Sequence, residues 1–241
     1  MSENQPEKSF RYNHAELESR RRFLRFLLRT IGFTALARVD RIEGLENVPT
    51  QGPAILMYNH IALIDPIVVL HILPRNCVPL AKVEVYDYPL VGIFPKMWQV
   101  IPVRRGEFDR RAVQQLFAVL KAGELVLVSP EGTRNPQLQQ AREGIAYLAV
   151  RSQAPLVPVA ISDTIGFPTL PVSARWKGPG AHVRFGKPFR FKITSERPSH
   201  AQLRIMADEA MYILAALLPP EQRGYYADLK MATQETIEWL E

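Results

Sequence analysis

Cysteine is almost missing from this chain: Cys77 stands alone among 241 residues. That excludes an internal disulfide framework and any cysteine-built metal centre, and it fits a reducing compartment. No metal site is expected. Long hydrophobic runs are missing too, since no stretch reaches the roughly 18 uninterrupted apolar residues of a spanning helix. The first residues have neither the short apolar core nor the small-residue cleavage site of a secretory signal, so the protein is expected to stay in the cytoplasm. Internal repeats and low-complexity blocks are also absent.

What is present is the composition of a folded domain. Hydrophobic residues make up 47% and charged residues 22%, which excludes a disordered body. Length favours one domain with an appended segment over two full domains. A net charge of +6 and a pI near 9.5 attract anions in general: nucleic acid, an anionic membrane surface or phosphorylated small molecules. The basic residues gather in ESRRRFLRFLLRT near the start and in VRRGEFDRR in the middle, not in a lysine-rich tail.

Residues 1–13 lack periodicity and read as a loose end. From Glu16 to Ala37, Arg21, Arg25 and Arg29 fall on one helical stripe, while Leu24, Leu27, Leu28 and Ile31 fall on another. That pattern predicts an amphipathic helix with its arginines outward, solvated on a packed helix or set among lipid headgroups. The residues alone leave the two open, although Phe23, Phe26 and Phe33 widen the apolar face. The chain is therefore divided into an N-terminal amphipathic segment, 1–38, and a main domain, 39–241.

Beyond Arg38 the chain alternates strand-like and helical runs. AILMYN (54–59), VPLAKV (78–83), WQVIPV (98–103), ELVLVSP, PLVPVAI and AHVRFGK read as strands. DRRAVQQLFAVLKAG (109–123) and AREGIAYLAVRS read as helices, as does the stretch from Ser199 to Leu218, where Ser199 and Gln202 have capping-box spacing. The alternation predicts an α/β domain with a mixed, largely parallel sheet flanked by helices.

Within YNHIALIDPIVVL, His60 should lie just past the end of a strand, the edge at which open α/β sheets bind ligands. Asp65 before Pro66 reads as a helix N-cap. A short turn could also fold Asp65 back onto the imidazole, where a carboxylate fixes the tautomer and raises the basicity of the other ring nitrogen. No G-x-S-x-G motif supplies a nucleophile, so such a base would activate a hydroxyl of the substrate itself. SPEGTR follows another strand. Gly132 there would let backbone amides approach an anion, and Arg134 could grip phosphate oxygens. Glu131 could hold a substrate hydroxyl or pair with an arginine. Arg104 and Arg105 close a further strand at the same edge, whereas Arg110 and Arg111 read as a solvated helix face.

These segments together resemble the glycerophospholipid acyltransferases, the family that includes bacterial 1-acylglycerol-3-phosphate acyltransferase. NHIALID matches the family's N-H-x-x-x-x-D signature, VIPVRRG (100–106) resembles its second block, SPEGTRN (129–135) its F-P-E-G-T-R-S block and LVPVAI (156–161) its fourth. Departures are Pro-Val before Arg104, Ser129 in place of phenylalanine, and Arg142-Glu143-Gly144 in place of Lys-x-Gly. The resemblance implies transfer of an acyl group from acyl-coenzyme A or acyl carrier protein to the free hydroxyl of 1-acyl-sn-glycerol 3-phosphate, forming phosphatidic acid at the cytoplasmic face of the membrane, with residues 1–38 as the membrane-association helix. It implies His60 and Asp65 as the catalytic pair. Arg104, Arg105, Glu131, Gly132, Thr133 and Arg134 would hold the acceptor, with no permanently bound cofactor and no metal. A different lysophospholipid or a lipid headgroup amine remains open as acceptor. So does a basic binding module, although basic residues interleaved with aromatics, as in single-strand nucleic-acid platforms, are not found.

Overall fold

Buried backbone amides and carbonyls need partners, and the apolar runs of this chain find them in one sheet. The structure, a computed structural model, describes residues 12–33, 36–89, 92–104, 109–192 and 197–241. Among these lie β1 (Val39–Glu43), β2 (Ala54–Tyr58), β3 (Cys77–Lys82), β4 (Ile101–Val103), β5 (Leu125–Val128), β6 (Leu156–Ser162), β7 (Ala181–Phe185), β8 (Phe189–Phe191) and β9 (Ile237–Trp239). The main path is β1-β7-β6-β2-β5-β3-β4, and β8 and β9 branch from β6. Strands β6, β2, β5, β3 and β4 are parallel, while β7 runs antiparallel to β6 and carries β1 parallel to itself. The predicted mixed, largely parallel sheet is what the chain forms.

Helices α1 (His14–Leu27), α2 (Asp65–Ile72), α3 (Ile93–Trp98), α4 (Arg110–Lys121), α5 (Gly144–Ser152), α6 (Ala174–Lys177) and α7 (His200–Leu217) complete the fold. They cover both faces of the sheet. Ile55 and Met57 of β2 enter a core shared with Leu116 of α4 and Met211 of α7, while Leu56 and Tyr58 enter one shared with Leu24 of α1 and Val68 of α2. All five residues of β2 are consequently buried, which is why its run is continuously apolar and not alternating. Truncating one of these side chains to alanine should cost roughly 2–5 kcal/mol.

Two expectations change. The run 98–103 is not one strand: Trp98 ends α3, Gln99 turns the chain at φ 52°, and only Ile101–Val103 pairs. The Trp98 indole, at the end of α3, is buried and donates to the Cys77 carbonyl at 2.9 Å. Two arginines of the stripe, Arg21 and Arg25, point inward and are not solvated, while Arg29, in the turn after α1, stays exposed. Arg21 is fully buried and donates to the carbonyls of Trp98 at 2.8 Å and Gln99 at 3.3 Å and to the Tyr12 hydroxyl. Arg25 is buried against Glu18, and Arg29 donates to the carbonyls of His71 and Leu73. Long arginine stems cover apolar surface while their heads saturate strand-end and helix-end carbonyls, so Arg21 and Arg25 belong to the packing side. Phe23 and Phe26 are left exposed. After α1 the chain continues as a π-helical turn, Leu28–Gly32.

The capping box at Ser199 forms as predicted. The tail beyond α7 does more than its sequence suggested. Buried Glu209 accepts from Thr233, Glu235 and Thr236, and this clasp holds the segment that becomes β9 against β8.

Candidate active site

Because five strands run the same way, Tyr58, Lys82, Val103, Val128 and Ser162 all end at one edge of the sheet. The blocks singled out in the sequence follow these ends. Just past β2, the Asn59 side chain donates to the Ile161 carbonyl and accepts from the Ile161 amide, both at 2.8 Å. This two-way bond ties the ends of β2 and β6 and aims the next residue, His60, outward.

Asp65 folds back onto that histidine. It is not the N-cap: Ile64 holds that position and Asp65 is the first helical residue of α2. Its carboxylate is fully buried and faces the preceding turn. Oδ2 accepts from His60 Nδ1 at 2.9 Å and from the amides of Ile61 and Ala62, both at 2.7 Å. Oδ1 accepts from Thr164 Oγ1 at 2.5 Å. Four donors satisfy the buried anion, which would otherwise be very costly to hold away from water. An anionic partner on Nδ1 places the ring proton there and leaves the Nε2 lone pair as the basic site. The His60 side chain is 12% exposed, so the ring reaches the surface of the rim. Thr164, beyond β6 and fully buried, was not identified from the sequence; its only signal was a hydroxyl two residues past a strand ending at this edge.

The EGTR segment lies beside the dyad. The Asn135 amide donates to the His60 carbonyl at 2.8 Å, joining the loop after β5 to the loop after β2. Gly132 adopts φ 68°, a left-handed conformation that an L side chain would strain. Its amide donates to Ser129 within the turn at 3.1 Å, so this N–H is engaged and not free for an anion as expected. Glu131 is buried and accepts from the Gln139 amide at 2.8 Å, and it pairs with no arginine among the described residues. Burial pushes its carboxyl up to about 7, against the amides of Gln139 and His60, which pull it down. Its Oε1 has no partner of normal hydrogen-bond geometry among the described residues. Thr133 and Arg134 are exposed on the rim.

Arg104 follows β4, at the same edge but three strands from β2, roughly 14 Å away at ordinary strand spacing. Its side chain is exposed, while its amide donates to Asp109, which also caps α4. Between Arg104 and His60 stand the ends of β5 and β3, and Arg134 comes from the nearer of these. Arg105 lies outside the described residues. Arg110 and Arg111 are exposed on α4, as expected of a solvated face. Cys77 is fully buried, and burial pushes its thiol well above the ordinary range, so it is no nucleophile. A cleft of about 440 Å³ borders the rim from the helix side, between Asp163 and Arg223, and His60 is not in its wall.

An imidazole oriented by a buried carboxylate, with exposed arginines along the same edge, is an arrangement chemically able to accept a proton at Nε2. The family model described as Acyltransferase matches residues 40–162, which is half of the chain and contains every block. The chain belongs to that family. It is 30% identical over 130 residues to a 1-acyl-sn-glycerol-3-phosphate acyltransferase of Borreliella burgdorferi, covering 52% of each chain. Over 147 residues it is 31% identical to the human 1-acyl-sn-glycerol-3-phosphate acyltransferase alpha, covering 59% of this chain and 52% of the relative. The corresponding Bacillus subtilis protein is 26% identical over 161 residues, covering 66% of this chain and 73% of the relative. The match thus spans about half the length of the Borreliella and human relatives. In fold the chain is similar to the crystal structure of the 1-acyl-sn-glycerophosphate acyltransferase PlsC from Thermotoga maritima, with a TM-score of 0.54, 23% identity, and coverage of 84% of this chain and 77% of that one.

Proposed function

We propose that the protein transfers a fatty acyl group from a thioester to the free hydroxyl of 1-acyl-sn-glycerol 3-phosphate, forming phosphatidic acid. The observation that carries this reading is the His60–Asp65 contact at a rim that also holds exposed arginines. His60 Nε2 removes the hydroxyl proton as the oxygen attacks the thioester carbonyl, and Asp65 stabilises the imidazolium that results. The proton then passes to the departing thiolate. Arg134 and Arg104 hold the acceptor phosphate in front of β5 and β3, which fixes the hydroxyl beside the base and lowers the entropic part of the barrier. Arg105 and Thr133 belong to the same acceptor site in this reading. Gly132 serves it by shaping the turn, and Glu131 by offering a buried carboxyl within it. Acyl-coenzyme A and acyl carrier protein are both chemically suitable donors.

Membrane attachment through residues 1–38 at the cytoplasmic face is part of the same proposal, with 39–241 as the catalytic body. Among the described residues no helix is long and apolar enough to cross a bilayer. The contact surface offered by α1 is the exposed pair Phe23 and Phe26 beside exposed Arg22, since Arg21 and Arg25 face inward. Aromatic side chains between cations suit the headgroup boundary.

Thiol release from acyl-coenzyme A and from acyl carrier protein, measured with a panel of lysophospholipids on wild type and His60→Ala, tests the reading. Wild-type turnover strongest with 1-acylglycerol 3-phosphate and lost in the variant is expected. Thiol release that is absent, or that survives His60→Ala undiminished, overturns it.

A further inference from the structure

The loop from Asp163 to Gly180 joins β6 to β7, and it leaves and re-enters the sheet at the catalytic rim because Ser162 pairs with His182. Its sequence, DTIGFPTLPVSARWKGPG, places Ile165, Leu170 and Val172 in a segment where polar turn residues would be ordinary. These side chains are 56%, 70% and 83% exposed. Single exposed aliphatics need no explanation, but three on one loop do. The loop is also firmly built. The Arg175 guanidinium donates to the carbonyls of Ile165 and Pro179, both at 2.6 Å, and to that of Asp163, and it stacks 3.9 Å over the Phe167 ring. Arg38 grips the carbonyls of Trp176 and Gly178 from the other flank, and the Thr169 amide donates to Leu36. These bonds fasten the loop's backbone on both sides of the Leu170–Val172 tip, which stands outward.

We propose that this loop is a rigid wedge that enters the lipid surface and seats the catalytic rim on it. The proposal deepens the acceptor reading above and rests on the acceptor being a membrane lipid. Three features on the same edge favour a lipid occupant. The wedge is apolar at its tip, with Pro171 between Leu170 and Val172. Exposed cations accompany it, Lys177 on the loop and Arg134 and Arg104 along the rim, which suits anionic headgroups outside an apolar layer. The wedge is continuous with the candidate site, since Thr164 at its base bonds Asp65. A lysophospholipid lifted only slightly from the bilayer would meet His60 with its acyl chain still in hydrocarbon. This contact is separate from the aromatic pair on α1.

The test uses the full chain carrying Leu170→Ser and Val172→Ser together, changes that remove hydrocarbon without adding charge. Sedimentation with vesicles of mixed phosphatidylglycerol and phosphatidylcholine gives partitioning, and thiol release is followed with a vesicle-embedded acceptor and with a short-chain acceptor in solution. Partitioning and turnover of the embedded acceptor should each fall about tenfold or more, since two aliphatic anchors are lost. Turnover of the dissolved acceptor should stay within about twofold, which also shows that the variant folds. Unchanged partitioning overturns the wedge, and so does an equal loss on both acceptors. Wild type without thiol release on any acceptor defeats the functional reading, while the partitioning arm still judges the wedge.

Discussion

Thr164 Oγ1 donates to Asp65 Oδ1 at 2.5 Å, across 99 residues of sequence, with both residues fully buried. The bond joins the end of β6 to the start of α2, and through Asp65 it reaches the imidazole. Removing it should act on His60 without touching it. Thr164→Val keeps the shape and leaves a buried carboxylate oxygen without its donor, a loss of about 1.5–3 kcal/mol in stability by urea titration. Turnover number should fall about tenfold while KM changes little, and Thr164→Ser should restore both. A fall in stability with unaltered turnover would mark Thr164 as merely structural.

His60→Ala removes the base and only one of the four donors to Asp65. Turnover should drop about a hundredfold to ten-thousandfold while the far-ultraviolet circular dichroism spectrum stays that of wild type. Retention of more than a tenth of wild-type turnover would remove His60 from the mechanism.

Glu131 gives a pH signature. Its carboxyl is raised from an ordinary 4.5 to about 7 by burial, so the folded chain holds a proton that the unfolded chain has released across that interval. Stability therefore declines as pH rises from about 4.5 to about 7 and stays lower above it. Glu131→Gln has no charge to bury. Its melting temperature should exceed that of wild type at pH 8, with the gap narrowing steadily toward pH 5. A gap independent of pH would contradict the burial argument.

Arg21 should matter to the fold far more than its neighbours do. Arg21→Ala removes three charge-assisted bonds from a fully buried guanidinium and opens a gap under α1, for a loss of about 3 kcal/mol. Exposed Arg20→Ala should change stability by less than about 0.5 kcal/mol. Chemical denaturation of the two variants side by side checks this, and similar losses would mean buried Arg21 does not hold the helix.

Much of the site was legible because its blocks follow strands. Apolar runs ending in Asn59-His60 and Val128-Ser129, together with the helical runs between them, placed the two loops on one edge once the sheet was taken as parallel. The N-terminal helix misled for a physical reason. Helical periodicity shows that arginines and leucines form separate stripes, but burial depends on what a partner surface offers. Here β4's approach and the end of α2 offered bare carbonyls, which arginine satisfies and leucine cannot.

The order of elements, the parallel sheet, the His60 and Asp65 pair and the EGTR turn follow from local pattern and spacing, since hydrophobic period and turn chemistry are properties of neighbouring residues. Packing alone decided that Arg21 turns inward and that Thr164 completes the shell of Asp65. Those outcomes depend on groups far apart in sequence competing for the same buried hydrogen bonds, and only the closed fold brings the competitors together.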